Sequence, residues 1–126
     1  MARRPRNIGL GSLISYSFPV MAIASILHRI SGVLLFLFTP FLLWALYGSL
    51  NSPSCFHALQ ASLTSPCAKL CIWVFLSALV YHLLAGFKHL LMDIGFCEEL
   101  NSSKFASWLV ILLSLIAVVM LGVWLW

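Results

Sequence analysis

The run Tyr81-His82-Leu83-Leu84-Ala85-Gly86-Phe87-Lys88-His89 places an imidazole near the middle of an apolar stretch. An ionisable side chain at membrane depth is costly, and it ordinarily faces a partner, a cofactor or a water-filled path. On the same helical face Ala78 lies one turn before His82, and Ala85 and Gly86 lie one turn after it. These small side chains leave a flat clearing beside the imidazole, the space a planar ring system needs. Ligation of a haem iron is therefore the first reading of His82, ahead of a hydrogen bond to a neighbouring helix.

His82, His89 and Asp93 are spaced i, i+7 and i+11, within about 20° of one line on an ideal helix. His89 lies close to the end of the apolar run, where pairing with Asp93 at the interface is the ordinary alternative. A second polar group sits in Ser25-Ile26-Leu27-His28-Arg29-Ile30-Ser31-Gly32. Ser25 and Arg29 are one turn apart and share a face, Gly32 continues that stripe, and His28 is rotated from Arg29 by about a quarter turn. Alone, Arg29 reads as an anchor snorkelling to lipid phosphates, and Ser25 as a helix-packing residue. Together they make one polar patch where a helix enters the membrane. Arg29 and Lys88 are positive there, His28 and His89 can become so, and Asp93 is the nearest acid. Haem propionates would balance this excess; lipid phosphates or an acidic partner protein would do so too. His82 and His89 point the same way two turns apart, so they cannot clamp one iron between them. Of the candidates for a second axial ligand (His28, His89 or a histidine of another subunit), that leaves His28 or the partner, and a partner's histidine is the simplest geometry.

The elements that must position these residues are membrane helices. Of 126 residues, 63% are hydrophobic and only 8% charged, with mean hydropathy +1.08; a soluble core of this size cannot hide that much apolar side chain. Three windows exceed the ~20 residues needed to cross a hydrocarbon core. They predict spans over 22–50, with a helix entered at Pro19, over 68–93, and over 105–126. Continuous apolar runs without alternation argue against a barrel. Pro19, His28 and Arg29 interrupt the segment after Arg3, Arg4 and Arg6, so the first span reads as a retained helix rather than a cleaved signal. Pro40 is expected as a kink.

Basic residues fall at Arg3, Arg4, Arg6 and Arg29 before the first span, and at Lys88 and Lys104 around the second connection. This predicts a cytoplasmic N-terminus, an outer loop over Asn51 to Cys67, an inner loop over Asp93 to Lys104, and a periplasmic C-terminus. Trp44, Trp73, Trp124 and Trp126 then lie toward the outer ends and Trp108 toward the inner end, as an aromatic belt. The fold class is all-α integral membrane, a single anchor domain over 1–126, part of a larger helical bundle. Cys55 and Cys67 share the outer loop, where either a bridge or two free thiols is open. No C-x-x-C-H occurs, so any haem is held non-covalently.

These features resemble the large membrane-anchor, cytochrome b subunits of succinate dehydrogenase, the respiratory complex II. The resemblance runs through Arg4-Pro5, through Phe18-Pro19 into Ala22-Ile23-Ala24-Ser25-Ile26-Leu27-His28-Arg29-Ile30-Ser31-Gly32, then through Tyr81-His82, Gly86-Phe87-Lys88-His89 and Asp93-Ile94-Gly95. Two patterns in this order carry it: S-x-x-H-R-x-S/T-G and H-x-x-x-G-F/I-R/K-H-x-x-x-D. Met21 stands where the family often has threonine, and Lys88 where it often has arginine.

The resemblance implies haem b shared with a small anchor subunit, which supplies the second ligand opposite His82. It implies that Ser25 and Arg29 line the ubiquinone site and that His28 and Arg29 face the haem propionates; the charge balance above adds His89 to the expected cofactor-binding set. The partners implied are a small membrane-anchor subunit, an iron–sulfur subunit and a flavoprotein that oxidises succinate, with lipid around and no nucleic acid. The chain itself would not act on succinate. It would serve the tricarboxylic acid cycle and the respiratory chain as a multi-pass protein of the bacterial inner membrane. A quinol:fumarate reductase anchor, a self-contained b-type cytochrome and a small transporter are the rival readings; neither the first nor the third span carries the acid a proton-coupled transporter needs.

Overall fold

The computed structural model describes residues 18–126, which form four helices and no strand. They are α1 (Val20–Asn51), α2 (Pro53–Leu63), α3 (Pro66–Asp93) and α4 (Leu100–Leu125). Helices α1, α3 and α4 are each long and apolar enough to cross a membrane. Arg3, Arg4, Arg6 and Pro5 lie outside the described residues.

Proline and serine punctuate the chain. Pro19 is the extended residue before α1. Its fixed φ and missing N–H suit a helix entrance. Ser52 and Ser65 cap α2 and α3, accepting from the backbone N–H of Cys55 at 3.2 Å and of Ala68 at 3.3 Å. Pro53 and Pro66 follow them at the first helical position. Most of the connection expected as a loop over Asn51 to Cys67 is therefore the eleven-residue helix α2. It has no buried residue and rests against the end of α1, so no apolar stripe marked it. Helix α1 runs through Pro40 without a break. Helix α4 begins at Leu100, ahead of the expected entry at Phe105.

Gly95 turns the chain out of α3 at φ +88°, a left-handed conformation open to glycine at no steric cost. The backbone N–H groups of Gly95 and Phe96 reach back to the carbonyls of Met92 and Leu91 at 3.0 and 2.9 Å. They satisfy carbonyls that the helix end leaves open.

The seams are lined by small residues. Helix α4 buries Ser103, Ser107, Val110 and Ser114 at helical spacing, letting it approach α3, its main neighbour. Ser107 and Ser114 return their hydroxyls to the carbonyls one turn earlier, at 2.8 and 2.7 Å, so no polar atom of theirs is stranded. Trp73 Nε1 donates to the Val118 carbonyl at 3.0 Å and Lys69 Nζ to that of Leu125 at 2.8 Å, fastening α3 to α4. Trp73 therefore points into a seam rather than into a belt. The large side chains face outward: Phe36 and Val123 are 76% and 78% exposed. That distribution matches lipid as the surrounding solvent.

Candidate functional site: a histidine cluster at the α1–α3 seam

Helix α1 carries Ser25, His28, Arg29, Ser31 and Gly32; α3 carries Tyr81, His82, Gly86, Lys88 and His89. At their seam His28 and His82 stack with ring centroids 4.2 Å apart and planes 20° apart. His89 lies on the other side of His28, centroid to centroid 5.2 Å. Three of the four histidines in the sequence thus meet at one place.

His82 is held at one edge of its ring. Its Nδ1 lies 3.2 Å from the His28 carbonyl and 3.1 Å from Ser31 Oγ, which itself donates to the same carbonyl at 2.8 Å. A carbonyl can only accept, so the proton of the neutral ring sits on Nδ1 and the free lone pair on Nε2. Gly32 is the close approach that permits this: a Cβ there would lie 3.0 Å from His82 Cε1. Gly86 faces His28, where a Cβ would sit 3.6 Å from Nε2. His28 Nε2 is buried and has no hydrogen-bond partner among the described residues. Orphaned buried donors or acceptors are uncommon and call for an explanation. Tyr81 fastens the seam by donating to the Ala24 carbonyl at 2.9 Å.

Several sequence-derived candidates gather here and others do not. His28, His82 and His89 come together. Arg29 is exposed and Ser25 half-buried at the neighbouring end of α1, on the stripe the spacing predicts. Asp93 is exposed and forms no ion pair with His89. Lys88 is buried at 7% exposure. It lines a cavity of about 270 Å³ between α3 and α4 with Cys97, Ala106 and Val110. It therefore leaves the positive group to which its proximity in sequence assigned it. Six residues turn a helix through about 240° relative to His82, which accounts for the separation. Cys55 and Cys67 are free thiols, as are Cys71 and Cys97. Ser31 and Tyr81 are the contacts the spacing argument assigned no role. The signal available was that Ser31 lies one turn beyond His28, the residue with which it shares a carbonyl.

A bundle of membrane-length helices with imidazoles gathered at one seam defines an integral-membrane helical protein with a polar cluster inside its apolar segments. Residues 3–121 match the family model described as the succinate dehydrogenase/fumarate reductase transmembrane subunit. The succinate dehydrogenase cytochrome b556 subunit of Coxiella burnetii is 41% identical over 126 residues, covering 99% of this chain and 98% of that protein. The corresponding subunit of Rickettsia prowazekii is 31% identical, covering 88% and 86%, and that of Paracoccus denitrificans 33% identical, covering 73% and 71%. The chain belongs to the succinate dehydrogenase/fumarate reductase transmembrane subunit family, as a membrane-anchor subunit of the cytochrome b556 kind in succinate dehydrogenase.

Proposed function

We propose that this chain and a second anchor subunit hold haem b between them, and that Ser25 and Arg29 help form a ubiquinone-reduction site beside it. The observation that carries this reading is the cluster of His28, His82 and His89, in which His28 Nε2 is buried without a partner among the described residues. The residues fit a b-type haem. His82 would hold the iron through Nε2, while His28, His89 and Arg29 would meet the propionate carboxylates. When bound, the haem would supply a one-electron carrier.

The second ligand is assigned to the partner subunit. His28 and His82 stack face to face at 4.2 Å, whereas an imidazole offers its lone pair in the ring plane. Two stacked rings do not converge their lone pairs on one point, which weighs against a self-contained cytochrome.

Arg29 and Ser25 sit one turn apart at the end of α1. In this reading they donate hydrogen bonds to the quinone carbonyls, and the guanidinium stabilises negative charge as two electrons and two protons convert quinone to quinol. The exposed Arg29 then faces the small anchor and iron–sulfur subunits, which relay electrons from the flavoprotein. The distribution of basic residues supports a cytoplasmic N-terminus and a periplasmic C-terminus in a bacterial inner membrane.

The test is a reduced-minus-oxidised absorption spectrum of the complex purified through a tag on this chain, with its co-purifying proteins identified. A b-type band together with a flavoprotein, an iron–sulfur protein and a second small membrane protein is expected. Partners without a haem band would overturn the haem assignment.

A further inference from the structure

We infer that Ser31 is a positioning residue for the His82 imidazole, through a closed hydrogen-bond ring of His82 Nδ1, Ser31 Oγ and the His28 carbonyl. The inference rests on the reading of His82 as the iron ligand and adds a residue to it.

The three distances define the ring. Ser31 Oγ commits its hydrogen to the His28 carbonyl at 2.8 Å, so toward Nδ1 at 3.1 Å it is an acceptor. The same N–H is shared with the carbonyl at 3.2 Å. Two acceptors on one turn of α1 thus fix both the tautomer and the rotation of a ring carried by α3. Ser31 is only 5% exposed, which leaves little room for water to replace its hydroxyl. Gly32, the next residue, leaves just enough space for the adjoining ring carbon Cε1. A metal-bound histidine commonly donates its other N–H to a carbonyl or similar acceptor, which orients the ring and raises the basicity of the ligating nitrogen. A more basic Nε2 stabilises ferric over ferrous iron, so this acceptor pair holds the haem potential down.

The plainer role for a small residue at a helix seam is packing. Ser31→Ala keeps nearly the same size and removes only the hydroxyl, while Ser31→Thr keeps the hydroxyl and adds a methyl. The measurements are the b-type absorption band, the haem midpoint potential and the low-spin haem electron paramagnetic resonance spectrum of the intact complex, with His82→Leu alongside. The expected result for Ser31→Ala is haem retained, a raised potential and a shifted or broadened low-spin signal, with Ser31→Thr close to the parent. A Ser31→Ala complex with unchanged potential and spectrum overturns the inference and leaves His82 as ligand. If Ser31→Ala loses haem, retention in Ser31→Thr supports the hydroxyl's role and loss in both variants overturns it in favour of packing. A normal haem band in His82→Leu overturns the ligand assignment itself, and this inference with it.

Discussion

Tyr81 Oη donates to the Ala24 carbonyl across the α1–α3 seam at 2.9 Å, joining the residue before His82 to the residue before Ser25. The candidate haem ligand and the candidate quinone residue are therefore registered to each other by one hydrogen bond between adjacent helices. Tyr81→Phe removes that bond and keeps the ring. A net loss of about 0.5–1.5 kcal/mol is expected, seen as a modest fall in the thermal midpoint of the purified complex, with haem retained. An unchanged midpoint would mean that the seam is held by packing alone.

His82→Leu is expected to abolish or strongly alter the b-type absorption band while the complex still assembles, because leucine fills the space but offers no nitrogen to iron. The check is a pyridine haemochrome assay against protein content. Full haem content with a normal band would remove His82 from the ligand set.

The three long apolar helices were legible in sequence because lipid as solvent leaves unbroken apolar runs, and α1, α3 and α4 cover the three windows expected. Helix α2 was not, since its evidence was local: Ser52 before Pro53, with no periodic apolar face to draw attention to it. Within the site, spacing on one helix was informative and proximity was not. His82 and His89, seven residues apart, both reach the cluster. Lys88 precedes His89 directly yet turns toward α4. Contacts between helices, such as Ser31 with His82, depend on the register of α1 against α3, which neither segment states alone. The free thiols of Cys55 and Cys67 likewise depend on how α2 lies over the end of α1.

Arg29→Leu is expected to reduce succinate-driven quinone reduction by at least tenfold, a loss of about 1.4 kcal/mol or more in stabilisation of the reacting quinone. Succinate oxidation by a soluble dye acceptor should fall far less, because it bypasses the membrane site. Parallel loss of both activities would identify Arg29 as an assembly residue. The comparison requires equal amounts of complex, measured by flavin content.

Two glycines of α1 provide a matched test of how tightly His82 is seated. A Cβ at Gly32 would lie 3.0 Å from His82 Cε1, while one at Gly48 would meet nothing within 4 Å. Both residues are inside the same helix, so replacement by alanine brings each a similar gain of roughly 1 kcal/mol in helix propensity. At position 48 that gain stands alone, and Gly48→Ala should leave the haem spectrum and the thermal midpoint the same or slightly improved. At position 32 the imidazole must move by a few tenths of an ångström or rotate away from its acceptors, at an overpacking cost of about 1–3 kcal/mol. Gly32→Ala should therefore lower the thermal midpoint and shift the low-spin haem signal, and Gly48→Ala should do neither. Identical behaviour of the two variants would show that the ring has slack at Cε1 and that its seating is not set from the α1 side.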